Sequence, residues 1–185
     1  MKEKTHGFLG VRLIDLENHV DNRGSFVEIF SPEISSLVDF TCPPQVNMSQ
    51  SKKNVFRGMH LQESPLGQAK LVVCVSGAIT DFVLDVNPES QSFGEHISFE
   101  MDSGKLQALY LPPEFAHGFL SLMDDTKVVY LVGRVRHEAS EITINPLSTS
   151  IRDFLSGRSI ILSEKDRNAI TLEDFRSDFY PKAGS

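Results

Sequence analysis

The chain of 185 residues has no tryptophan, only three tyrosines, and two cysteines, Cys42 and Cys74. Two thiols cannot build a disulfide scaffold. None is needed, because a domain of this length buries roughly 70% of the surface its unfolded chain exposes. Positive charge is also short: 18 Lys and Arg stand against 25 Asp and Glu, a formal net charge of −7. That balance argues against the sequence-independent phosphate attraction on which nucleic-acid binders depend, so no nucleic-acid partner is expected. No apolar run approaches the roughly 20 residues of a membrane span, and residues 1–10 carry charge without a signal-peptide core. A cytoplasmic protein with reduced thiols and no membrane partner is expected. Internal repeats, low-complexity tracts and Gly/Ser-rich linkers are missing too, so residues 1–185 are expected to form a single domain.

What is present is β-type patterning. Short alternating or apolar segments bounded by turn residues occur at 11–15, 25–30, 45–51, 71–76, 78–85, 95–100, 108–111, 117–122, 126–132 and 141–144. This spacing belongs to an all-β sandwich or barrel. Helix signals are few: Ser31-Pro32-Glu33 can cap a short helix running to Val38, and Ser163-Glu164-Lys165-Asp166 has the form of another helix start. The polar tail 163–185 fits a helix or an extended strap over one sheet as well as a loop.

The densest chemistry lies between Gln45 and Lys70. Residues two apart on a strand share a face, so Gln45, Asn47, Ser49 and Ser51 form one polar face, which an exposed sheet surface explains equally well. Arg57 and His60 flank Gly58, which permits a bend or a close backbone approach. A second histidine, His117, follows the turn Leu111-Pro112-Pro113-Glu114, an arrangement that resembles the second motif of cupin barrels. The first cupin motif requires His-x-His and a following Glu. Here the chain reads His60-Leu61-Gln62, so the ligand set of a catalytic metal is incomplete, and neither metal nor other cofactor is expected.

Eight motifs in order then become specific: Asp21-x-Arg23-Gly24-x-Phe26-x-Glu28; Gln45-x-Asn47-x-Ser49-x-Ser51; Arg57-Gly58-x-His60-x-Gln62; Gln68-x-Lys70; Gly77-x-x-x-Asp81; Pro113-x-Phe115-Ala116-His117-Gly118-Phe119; Tyr130; and Leu162-Ser163-Glu164-Lys165-Asp166. Together they closely resemble the dTDP-4-dehydrorhamnose 3,5-epimerase family over nearly the whole chain. The resemblance implies a metal-free, cupin-type jelly roll, usually a homodimer, that acts on nucleotide-diphosphate-linked 4-keto-6-deoxy sugars.

It also implies roles. A 4-keto group acidifies the protons on C3 and C5, and inversion needs a base on one face and an acid on the other. Imidazole is a base suited to neutral pH, and a carboxylate that orients it improves it. By resemblance His60 is the base and Asp166 its carboxylate, although Asp166 taken alone reads as a helix-start acid. Lys70 would stabilise the enolate oxygen, Asp81 would hold Lys70 charged and oriented, and Tyr130 would be the opposing acid. Arg57 would bind the diphosphate and His117 would line the sugar and phosphate end, while Gln45 and Asn47 would face the ligand from inside the barrel. Arg23, Phe26 and Glu28 would reach a partner's nucleotide by exchange of the N-terminal strand.

The chain departs from the family pattern near the nucleotide. Arg136 takes the place of an aromatic that helps pack the base, Ile144-Asn145-Pro146 replaces a Trp-containing segment, and Asn87 stands where an arginine often follows. A weaker preference for thymidine than the family shows is therefore expected. A ketoisomerase on the same fold and a non-catalytic nucleotide-sugar-binding subunit are the alternatives.

Overall fold

The computed structural model describes residues 2–5 as backbone, together with 8, 10–40 and 43–180. Cys42 lies outside the described residues, as does the end of the tail, 181–185.

The strands are β1 (Lys2–Thr5), β2 (Arg12–Asp15), β3 (Asn18–Asp21), β4 (Gly24–Val27), β5 (Gln45–Ser51), β6 (Phe56–Gln62) and β7 (Lys70–Ser76), followed by β8 (Ala78–Asp85), β9 (His96–Asp102), β10 (Gln107–Leu111), β11 (Phe115–Ser121), β12 (Thr126–Val132) and β13 (Glu141–Thr143). They form a six-stranded sheet in the order β1-β2-β10-β7-β12-β5, a five-stranded sheet in the order β13-β6-β11-β8-β9, and the separate hairpin β3-β4. All pairings in the two large sheets are antiparallel, and consecutive strands mostly fall in different positions or sheets. This is the expected cupin-type jelly roll.

Three apolar layers hold it. Between the sheets, Val72, Cys74, Leu109, Leu111 and Val128 pack against Ile79, Val83, Phe99, Met101 and Phe119. The outer face of the six-stranded sheet, with Ile14, Leu71, Val73 and Leu131, is covered by Ile34, Val38 and Phe40. The outer face of the five-stranded sheet, with Phe56, Phe82, Leu84 and Leu120, is covered by Ile151, Leu155 and Phe175. Because both sheets are buried on two faces, their central strands read as continuous apolar runs rather than strict alternations, as Leu71–Cys74 does.

The expected helix starts are present but short. Ser31 caps α1 (Pro32–Ser35) and Ser163 caps α3 (Glu164–Arg167), each through its side-chain oxygen. Between them α2 (Arg152–Leu155) lies on the chain after β13, and α4 (Leu172–Phe179) makes the tail a helix up to Phe179. Three strands fall outside the expected set: β1, β3 and β6. β3 is exposed along its length, so no apolar period marks it; β6 carries Arg57, Gly58 and His60 among buried Met59 and Leu61, which masks its alternation.

Gly58 decides how close β6 comes to β11. Its φ is +116°, and a Cβ there would meet the His117 carbonyl oxygen at 2.5 Å and the Gly118 Cα at 2.6 Å. Only glycine combines that backbone with that approach.

Candidate active site

A cavity of about 530 Å3 opens between the two sheets at one end of the roll. β5 contributes Asn47 and Ser49, β6 contributes Arg57, His60 and Gln62, β7 contributes Lys70, β11 contributes His117 and Phe119, and β12 contributes Tyr130. Asp166 arrives from α3, more than a hundred residues after His60. It is brought there by the segment before the helix: the Phe56 and Ile161 backbones are tied by an N–H to carbonyl bond of 2.9 Å, and Ile161 N–H returns one to Asn54 at 2.8 Å.

His60 Nε2 lies 2.7 Å from Asp166 Oδ1. Burial alone would raise the Asp166 carboxyl, but the hydrogen bond and charge of His60, with donors from Ser163 and the Gly58 backbone, hold it below the usual carboxylate value. The carboxylate accepts, so Nε2 carries the hydrogen and Nδ1 keeps the lone pair that a base requires. The His60 side chain is 34% exposed and Asp166 only 5%.

His117 stands directly beside His60 in the β11-β6 ladder. Its Nε2 lies 2.9 Å from both oxygens of Asp81, on neighbouring β8, and neither side chain is more than 5% exposed. This corrects the orienting half of the role expected for Asp81. Its carboxylate is engaged by His117, and it acts on Lys70 only through charge. Lys70 Nζ instead donates to the His60 carbonyl oxygen at 3.0 Å. Burial pushes the ammonium down to about 8, against the opposing charges of Glu141 and Asp81.

Tyr130 faces the cavity from the other sheet, with its hydroxyl 3.0 Å from Ser49 Oγ. Burial pushes the phenol well above its ordinary value. Arg57 is held from β5, donating from Nε to Ser51 Oγ at 3.0 Å and from its terminal nitrogen to the Gln50 carbonyl at 3.1 Å.

The remaining expected residues divide. Gln45 does not line the cavity; its amide donates to Asn47 Oδ1 and its oxygen accepts the Arg136 backbone N–H. Arg136 reaches the cavity rim, where its guanidinium donates to Glu141 at 2.7 Å. Arg23 and Phe26 sit on the exposed β3-β4 hairpin with Glu28 just past it, outside this cavity, and Arg23 is paired with Asp21. Two charged lining residues had no reading of their own in the sequence: Glu141, which also accepts from Lys165 Nζ at 2.7 Å, and Lys165 itself. Glu141 opens a strand in the pattern Glu-Ile-Thr-Ile, where a lone acid carries no signal. Gln62, in a cupin ligand position, spends its side chain on the Leu66 carbonyl and the His137 N–H. Among the described residues no three His, Cys, Asp or Glu side chains are grouped to hold a metal ion.

The family model described as dTDP-4-dehydrorhamnose 3,5-epimerase matches residues 6–174. The chain belongs to this family. It is similar to the dTDP-4-dehydrorhamnose 3,5-epimerase of Escherichia coli, with 36% identity over 161 residues, covering 83% of this chain and 85% of that one. It is 38% identical over 158 residues to the dTDP-4-dehydro-6-deoxyglucose 3-epimerase of Streptomyces bikiniensis, covering 83% and 80% of the two chains. Its structure resembles that of the Legionella pneumophila dTDP-6-deoxy-D-glucose-3,5-epimerase in complex with dTDP-4-keto-L-rhamnose, with a TM-score of 0.85 and 27% identity over 100% of this chain and 99% of that chain. Among the described residues no helix is long and apolar enough to cross a membrane.

Proposed function

We propose that this epimerase-family member inverts C3, or C3 and C5, of a nucleotide-diphosphate-linked 4-keto-6-deoxy sugar. The observation that carries the reading is the placement of a carboxylate-held imidazole and a phenol on different sheets, around one cavity that also holds a buried ammonium.

His60, oriented by Asp166, removes the proton next to the carbonyl. The electrons move onto the carbonyl oxygen, where Lys70 supplies a cation in a water-poor site. Tyr130 returns a proton from the other face, and the carbonyl reforms with the centre inverted. His117, fixed by Asp81, lines the sugar end, and Arg57 takes the diphosphate with its charged fork. Asn47, steadied by Gln45, and Arg136 face the nucleotide.

Residues 1–185 act as one unit, paired as a homodimer in the cytoplasm. The support for pairing is the exposure of Val20 and Phe26 on the β3-β4 hairpin and of Val46 and Met48 on β5, the last strand of its sheet. A partner that covers these side chains would bring Arg23, Phe26 and Glu28 to the neighbouring site. A monomer with full activity would overturn that pairing.

The deciding experiment is turnover of nucleotide 4-keto sugars in deuterium oxide, followed by NMR. Deuterium at C3 alone or at C3 and C5, with inversion, is the expected result, and the pattern assigns the regiochemistry. With Tyr130→Phe, deuterium should still enter while the centre keeps its configuration. No deuterium with any such substrate, or a carbonyl that has moved, would overturn the epimerase reading.

A further inference from the structure

The acid side of the site contains a residue with no assigned role. In the β12-β5 ladder Tyr130 is paired with Asn47, and Ser49 with Val128, so the phenol reaches along the strands to its diagonal neighbour. The two hydroxyls meet at 3.0 Å, and among the described residues this is the one side-chain hydrogen bond each of them makes. The other sides of the phenol are aromatic: His117 and Phe119 lie 6.3 and 6.4 Å away between ring centroids. His117 cannot supply a proton readily, because its Nε2 hydrogen is already committed to Asp81. Ser49 is half-buried, and Asn47, which shares its face of β5, is exposed and lines the same cavity, so solvent can reach this hydroxyl from the cavity side.

A tyrosine that gives up its proton in such a place faces two problems. Its phenolate must be stabilised, and it must be reprotonated before the next turnover. A hydroxyl can do both, since it donates one hydrogen while accepting another.

We propose that Ser49 is the positioning residue of the acid: it aims the Tyr130 hydroxyl into the cavity and returns the proton that Tyr130 spends. The proposal rests on the assignment of Tyr130 as the acid. As the product C–H bond forms, the Tyr130 O–H bond breaks. The phenolate oxygen then takes the Ser49 hydrogen while Ser49 Oγ takes one from water, and His60 releases the abstracted substrate proton to solvent. One proton leaves the substrate, one enters it from the other face, and the protein ends unchanged. Burial raises the phenol, and the Ser49 hydrogen bond opposes that rise, which keeps proton donation within reach.

Ser49→Ala, Ser49→Thr and Tyr130→Phe are compared in deuterium oxide on a dTDP-4-keto-6-deoxy sugar. Ser49→Ala is expected to lower kcat for inversion about tenfold with KM nearly unchanged, while His60-dependent deuterium uptake continues, so that uptake per inversion rises by the same factor. Uptake at the native rate also reports an intact fold and base. Ser49→Thr keeps a hydroxyl and should restore most of the inversion. Native inversion in Ser49→Ala, with Tyr130→Phe impaired, would overturn the role of Ser49 and leave the acid assignment standing. Equal loss in Ser49→Ala and Ser49→Thr would also overturn it. Native inversion in Tyr130→Phe would remove the acid assignment and the Ser49 proposal together.

Discussion

Two His–Asp pairs of the same composition present their imidazoles to the cavity, and they differ in almost everything else. His60 and Asp166 come from a strand and a distant helix; the imidazole is one-third exposed and the carboxyl is held low by its donors. His117 and Asp81 come from adjacent strands, β11 and β8, and both are sealed, with Asp81 fully buried and its carboxyl pushed up by that burial. An imidazole that exchanges protons with substrate and solvent needs one open nitrogen and one anchored nitrogen, which is the His60 arrangement. An imidazole whose ring is walled in, with its carboxylate out of water, holds a shape and a polarity. In the proposed mechanism identical residues serve as a base in one place and as a brace in the other, and exposure makes the difference.

The largest test of this contrast is His60→Ala. Loss of the base should lower both deuterium uptake and inversion by about 10³-fold, with the melting temperature little changed; uptake at the native rate would cancel the difference between the pairs. Stability should show the reverse order. Asp81→Ala leaves a buried imidazole without a partner and should cost about 3–5 kcal/mol in denaturant unfolding. Asp166→Ala should cost no more than about 1 kcal/mol, since His60 can turn to water, while slowing turnover. Equal losses of stability would mean that both pairs are braces.

A smaller effect concerns Lys70, which sits behind His60. Its ammonium is pushed down to about 8, so the charge that stabilises an enolate should be lost, and turnover should fall, as pH rises through about 8. Folding stability should move the other way: above about 8 the folded chain releases a proton that the unfolded chain keeps until about 10.5, so stability rises across that window. Lys70→Arg keeps its charge and should remove the alkaline limb. A limb that stays would assign it to another group.

The smallest expected effect lies at the cavity rim. Arg136 is tied to Glu141 at the rim in place of a stacking ring. Arg136→Tyr should raise the preference for thymidine diphosphate over other nucleoside diphosphates by less than about tenfold, a range consistent with a single stacking contact. Competition binding measures it. A hundredfold native preference for thymidine diphosphate, unchanged by the substitution, would place recognition elsewhere.

How far the sequence reached depends on what each signal measures. The run 126–132 is legible because its flanks turn and its β-branched residues sit in a strand buried on both faces; the observed β12 has those bounds. The serines that start α1 and α3 are legible because capping is local chemistry. β3 has no apolar face and left no trace, and β6 hides its period because its register against β11 shifts between Arg57 and His60 and it delivers functional side chains. The residue types of the site, and their order along the chain, are carried by the sequence and by the family resemblance that they support.

Which carboxylate serves which cation is a different matter. Asp81 lies eleven residues after Lys70 on the next strand, and proximity in the chain suggests that the two are paired. Folding instead sets Lys70 against the His60 carbonyl and gives Asp81 to His117, 36 residues on. Asp166 looks like an ordinary first-turn acid until the Ile161 backbone fastens its segment to the start of β6. Ser49 belongs to a polar face until the ladder register brings it diagonally opposite Tyr130. The amino-acid sequence determined the β fold, the capping and the chemical inventory, because these depend on periodicity and on neighbours within a few positions. Only the tertiary structure decided the pairings and the exposures, because hydrogen bonds and desolvation act over a few ångströms and are blind to distance along the chain.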